Sequence, residues 1–156
     1  AEWIDDLMRA ARERLASLGD QLLTMTHGDW RIDNVRVVAN EVVAVYDWES
    51  VGPIPETEAV AAAARTFSVD WDRDDVARFP APAAMAAFIG EYERARGAPL
   101  TATERAHTAF TMVASMAYGA RCEHSIQWPE IEDSQQRQLR ALGPALLRVG
   151  LDALHA

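Results

Sequence analysis

The sequence predicts an α+β fold that is predominantly α-helical, with one small β-hairpin. Apolar residues recur at helical spacing along most of the chain. One cluster of β-branched residues, from Val35 to Tyr46, departs from that period, and a polar, aperiodic stretch from His27 to Asn34 precedes it. The chain has 156 residues, which suits a single domain over 1–156 with one core.

Residues 2 to about 18 read as an amphipathic helix, with Trp3, Leu7, Ala11, Leu15 and Leu18 on one stripe and Gly19 as its stop. Leu22 to Thr26 is a short apolar run, expected to be extended and buried. The loop from His27 to Asn34 follows. Val35, Val37 and Val38, then Val42, Val43, Val45 and Tyr46, flank Ala39-Asn40-Glu41, which predicts a hairpin turning near Asn40. Gly52, Pro53 and Pro55 are expected to break regular structure.

The remainder is expected to be helical. Glu58 to Phe67 is rich in Ala, and Ala83 to Arg96 carries Met85, Phe88, Ile89 and Tyr92 on one side. Thr101 with Glu104 forms a capping-box pattern opening a helix to about Glu123, whose wide apolar arc marks it as the buried centre. Pro129 is expected to open a further helical region, and Ser134 to Leu154 to continue it, kinked or split at Pro144.

Composition narrows the function. The net charge of −9 argues against a nucleic-acid partner, because phosphate contacts need clustered basic residues, and it is compatible with a cationic small molecule. All 15 basic residues are Arg; without Lys, no lysine-dependent step can be carried by this chain alone. Cys122 is the single cysteine, so an intrachain disulfide is impossible and a reducing, cytoplasmic setting is expected. Neither a signal peptide nor a membrane-spanning run is visible. The absent initiator Met points to a processed, trimmed or partial chain.

The chemistry concentrates in His27-x-Asp29-x-x-x-x-Asn34, followed thirteen residues later by Asp47 at a strand end. A carboxylate can orient an attacking hydroxyl and accept its proton. A second carboxylate and an amide oxygen suit a hard cation bridging phosphates. A hairpin running out from Asn34 and back to Asp47 brings both halves together. What remains of catalysis in such a site is positioning and charge neutralisation.

This arrangement resembles the protein-kinase catalytic loop, and more closely the aminoglycoside phosphotransferase and choline kinase family. The residues that carry the resemblance are His27-Gly28-Asp29 to Asn34, then Val43-Ala44-Val45-Tyr46-Asp47-Trp48-Glu49, continuing through Gly52 and Pro55 to Glu58, which stands where that family often has Asp. The resemblance implies a kinase-like C-terminal lobe that transfers the ATP γ-phosphate to a hydroxyl of a small molecule, aminoglycoside-like or amino-alcohol. It implies Asp29 as catalytic base, Asn34 and Asp47 as Mg2+ ligands, His27 as a structural residue of the loop, and Arg31 near the transferring phosphate. A salt bridge from Arg31 to Asp33 or Glu49 is the competing expectation.

Kinases of this kind hold ATP between two lobes, and the smaller one supplies a phosphate-covering loop and a Lys. Only 26 residues precede His27, they read as helix, and they contain no Lys. The N-terminal ATP-binding lobe is therefore expected to be absent, and the chain alone inactive. The alternative is a non-catalytic binding or regulatory module derived from the same lobe. A face left by a missing lobe could also pair two copies.

Other features carry blander expectations. Asp70-Trp71-Asp72-Arg73-Asp74-Asp75 begins like a calcium loop but lacks the Gly and Glu such a loop needs, so it reads as a solvated acidic loop. His107 and His124 are expected on helix surfaces, and Cys122 as a small buried residue. Glu123, Glu130, Glu132, Asp133 and Trp128 could receive an ammonium group or form a solvated loop.

Overall fold

The computed structural model describes residues 1–69, 78–131 and 133–155. The chain begins with helix α1 (Glu2–Ser17), which ends through Leu18 and a left-handed Gly19 at φ 73°. Strand β1 (Leu23–His27) leads into the loop, and Ile32–Asn34 forms a single 3-10 turn. Strands β2 (Val35–Val38) and β3 (Glu41–Val45) make the expected hairpin. Its two-residue turn, Ala39-Asn40, has φ of 49° and 66°, the positive pair a tight hairpin requires. A second 3-10 turn, Trp48–Ser50, leads into β4 (Val51–Pro55).

Strand β4 corrects two expectations. Gly52 to Pro55 does not simply break the chain: it pairs antiparallel with β1, Met25 facing Pro53 and Thr26 facing Gly52. The described residues therefore form two two-stranded sheets rather than one hairpin. Proline is tolerated because every strand of a two-stranded ribbon is an edge and has one side free of ladder bonds. The run expected to be buried is instead open, with Leu22 84% and Met25 71% exposed.

Helices α2 (Glu56–Thr66), α3 (Pro82–Arg96), α4 (Ala102–Ser125) and α5 (Gln135–Val149) form the body, closed by a 3-10 segment, Gly150–His155. Thr101 and Glu104 make the capping box as expected, each side chain meeting the other's backbone N–H. Helix α4 is the buried centre: Ala109, Met112, Val113, Met116, Ala117 and Ala120 are fully buried, packed with Ile4 and Ala11 of α1, Val60 and Ala64 of α2, and Leu139 and Leu146 of α5.

Three helical expectations change. Residues 129–131 lie outside helix, and α5 starts only after Ser134, whose hydroxyl accepts the Arg137 N–H. Pro144 neither splits nor ends α5, because the apolar stripe of this helix, Leu139, Leu146 and Leu147, stays packed in the core on both sides of it. Cys122 is exposed, since the last turns of α4 run beyond the core.

His107, expected on a surface, is buried at the α2–α4 contact with its Nδ1 2.8 Å from Thr57 Oγ1. Burial lowers its pKa, partly opposed by Glu58. Arg65 of α2 is also buried, and it bonds neutral acceptors: Ser115 Oγ, Gln135 Oε1 at 2.6 Å and Gln138 Oε1 at 3.3 Å. Desolvation brings its guanidinium down to about 10.

The acidic stretch from Asp70 to Asp75, and Glu132, lie outside the described residues. Among the described residues no helix is long and apolar enough to cross a membrane.

Candidate active site

The loop after β1 is short and rich in polar side chains, so its shape depends on hydrogen bonds rather than on burial. His27, the last residue of β1, uses both ring nitrogens on backbone: Nε2 donates to Tyr46 O at 2.8 Å, and Nδ1 accepts the Asp29 N–H at 3.3 Å. The two bonds together require the neutral tautomer with its proton on Nε2. One ring thus ties the loop to the end of β3. Trp30 and Trp48 stand edge-on to the same ring at 5.6 and 6.2 Å, and Trp30 stacks on Phe67 at 6.4 Å. A backbone bond from Ile32 N–H to Phe67 O, 2.8 Å, anchors the loop to the end of α2.

Asp29 is held from two sides. Arg31 Nη2 donates to its Oδ2 at 2.7 Å, and Asn34 Nδ2 donates to the same oxygen at 3.2 Å and to the Asp29 carbonyl at 2.9 Å. Arg31 pairs first with Asp29; Asp33 is a second, longer partner at 3.9 Å, and no bond to Glu49 forms among the described residues. The sequence expectation of an Asp33 or Glu49 partner therefore missed the closer one, two residues away across the loop.

Asn34 is buried, and its main-chain carbonyl accepts the Tyr46 N–H at 2.8 Å, which sets it beside the residue preceding Asp47. Asp47 adopts a left-handed conformation, φ 61° and ψ 44°, unusual for a residue with a Cβ and tolerated by Asp. Its Oδ2 accepts the Ser50 hydroxyl at 2.7 Å. The hairpin therefore brings Asp29, Asn34 and Asp47 to one end of the molecule, with the Asn34 amide tying to Asp29 and His27 tying Asp29 to the carbonyl of Tyr46.

The donor set suits a hard divalent cation. Asn34 donates through Nδ2 in both of its side-chain bonds, leaving Oδ1 outside them, and Asp47 adds a carboxylate. Among the described residues no cluster of three or more His, Cys, Asp or Glu could hold a metal. Two oxygen ligands completed by phosphate and water is the coordination magnesium prefers in phosphoryl-transfer sites.

A cavity of about 320 Å³ opens beside the loop, with His27, Trp30, Glu56, Phe88 and Tyr92 among its walls. Tyr92 donates its hydroxyl to Glu56; burial first, then that carboxylate, raises the phenol above its ordinary pKa.

Two of the four acidic residues considered for an ammonium group have other work. Glu123 accepts the N–H groups of Gln135 and Gln136 and so caps α5, while Glu130 holds Arg140 at 2.8 and 3.1 Å. The Arg78 guanidinium lies 5.6 Å over the Trp128 ring. Asp133 lines a second cavity of about 330 Å³ with Trp128 and Gln135.

Sequence reading overlooked Ser50 and Phe67. Ser three residues after an Asp is a turn signal that could have flagged Ser50; a main-chain acceptor such as Phe67 O leaves no trace in side-chain identity.

No curated protein and no solved structure matches the chain. A family model does match, over residues 1–107, and this span holds the loop, both sheets and α2. With the match covering more than half of its length, the chain belongs to the phosphotransferase enzyme family.

Proposed function

We propose that this chain is the acceptor- and metal-binding half of an ATP-dependent kinase that phosphorylates a hydroxyl on a small molecule, with the nucleotide lobe supplied from outside these 156 residues. One observation carries the reading: the carboxylate of Asp29 lies in a loop whose Asn34 is bonded to the backbone beside Asp47, so the three side chains expected to act as base and ligands share one end of the fold.

In this reading Asp29 orients the acceptor hydroxyl and takes its proton. Asn34 and Asp47 would hold Mg2+, which when bound neutralises charge on the ATP phosphates. Arg31 supplies positive charge beside the transferring group, and its bond to Asp29 keeps the base in place until the acceptor arrives. His27 fixes the loop and touches no reactant. The net charge of −9 favours a cationic acceptor such as an amino-alcohol or aminoglycoside.

A second reading is a non-catalytic module. It is favoured by Oδ2 of Asp29 being engaged by both Arg31 and Asn34. The exposed apolar side chains of the two sheets also support a partner on that face, another lobe or a second copy of this chain, which light scattering would detect as a dimer.

The test is turnover. The chain alone, given Mg-ATP and a panel of aminoglycosides and amino-alcohols, should show none. Fused to the sequence encoded immediately upstream, it should phosphorylate at least one member of the panel, and Asp29→Asn should lower that rate about 10²–10⁴-fold. Robust turnover by the isolated chain would overturn the division of labour. An inert fusion that still binds members of the panel would favour the module.

A further inference from the structure

Ser50 belongs to none of the motif positions, yet it ties the two halves of the site together. Its hydroxyl donates to Asp47 Oδ2 at 2.7 Å, and its N–H donates to the Asp47 carbonyl at 3.0 Å. Its own carbonyl accepts the Gly28 N–H at 2.8 Å. One residue therefore grips the Asp47 side chain, closes the turn that carries it, and fastens that turn to the loop next to Asp29.

The fit at Gly28 is close. A Cβ there would stand 3.0 Å from the Ser50 carbonyl oxygen, tighter than ordinary contact. Glycine is needed at this position for the approach of Ser50, since its φ is not in the left-handed region. On the other side, Asp47 has left the β3 ladder and turned into a left-handed conformation. The Ser50 hydroxyl is the hydrogen-bond donor to its carboxylate among the described residues.

We infer that Ser50 is a positioning residue for the metal-binding carboxylate, fixing Asp47 Oδ2 so that Oδ1 is the oxygen offered to the cation. The inference rests on the reading of Asp47 as a metal ligand. Partners that hydrogen-bond a ligating side chain hold it in the binding orientation, and losing one weakens metal affinity about 10–100-fold. Serine suits the task because its short side chain reaches back to a residue three positions earlier, while its backbone remains free to meet Gly28.

The experiment uses the ¹⁵N-labelled chain and Mn2+ alone, followed by paramagnetic broadening of the Asn34 side-chain amide and the Asp47 backbone signal. Wild type should broaden first at these two residues. Ser50→Ala should need about 10-fold more Mn2+ for the same broadening. Ser50→Thr, which keeps the hydroxyl, should return to the wild-type range. Urea denaturation of each variant shows that the helical body is intact. Equal broadening in wild type and Ser50→Ala would overturn the positioning role while leaving Asp47 as a ligand. Wild-type broadening centred elsewhere would remove the metal reading of Asn34 and Asp47, and the inference with it.

Discussion

Met112, Val113 and Met116 in the middle of α4 are completely shielded from solvent, whereas Leu22 and Met25, just before the loop that carries Asp29, are 84% and 71% exposed. The helical body and the sheet end are thus held by different forces. Among the described residues, the main hydrophobic cluster comes from helices, the closing 3-10 segment and Leu100 beside the α4 cap, and none of it from a strand. Two-stranded ribbons are marginal by themselves. Here they are fixed by directional bonds: His27 to Tyr46, Ile32 to Phe67, Gly28 to Ser50. The body supplies most of the stability, and the sheet end, which carries the candidate site, has little of its own.

That contrast can be broken most directly in the core. Met116→Ala removes a fully buried side chain and should cost about 2–5 kcal/mol in urea denaturation. The folded fraction should keep the same Mn2+ broadening at Asn34. A cost near zero would mean that α4 is not the keystone of the body.

Acid should act next, and on the body first. Burial depresses His107, so its native form resists protonation while the unfolded chain takes a proton near the ordinary value of about 6.5. Its contribution is present above that value and is lost as pH falls through it towards the lowered native pKa. Between about pH 7.5 and about pH 5.5 the urea midpoint should fall. His107→Gln, which can still bond Thr57, should flatten the dependence. A wild-type midpoint that rises on acidification would contradict the assignment.

The smallest effect belongs to the sheet end. Met25→Ser on the open face of β1 should change stability by no more than about 0.5 kcal/mol. A larger loss would show that this face is covered in solution, and a concentration dependence of that loss would identify a second copy as the cover.

The legible parts of the sequence were local ones. The hairpin was readable because its turn, Ala39-Asn40, lies within a few residues of both strands, and the same closeness placed Asn34 and Asp47 together. The α4 cap was readable because Thr101 and Glu104 bond each other. What escaped depends on distant partners. The β1–β4 pairing joins segments separated by the whole loop and hairpin, and β4 carries two prolines that normally argue against a strand. His107 is buried because Thr57 faces it from another helix, and Cys122 is exposed because α4 outruns the core. The bond from Arg31 to Asp29 depends on how the loop folds back on itself, which no period reveals.

The prolines of β4 have a further effect. Gly28 and Ser50 are joined by a ladder bond, so the alternation of antiparallel pairs makes Thr26–Gly52 and Thr24–Ile54 the bonded positions. Pro53 and Pro55 then direct their ring nitrogens away from β1, onto the outer rim of the ribbon. A foreign strand approaching that rim meets no amide hydrogen at Pro53 or Pro55, two of the three outward positions of β4, and cannot zip along it. An apolar ribbon left open to solvent is thereby protected, on this side, from seeding aggregates by edge-to-edge pairing.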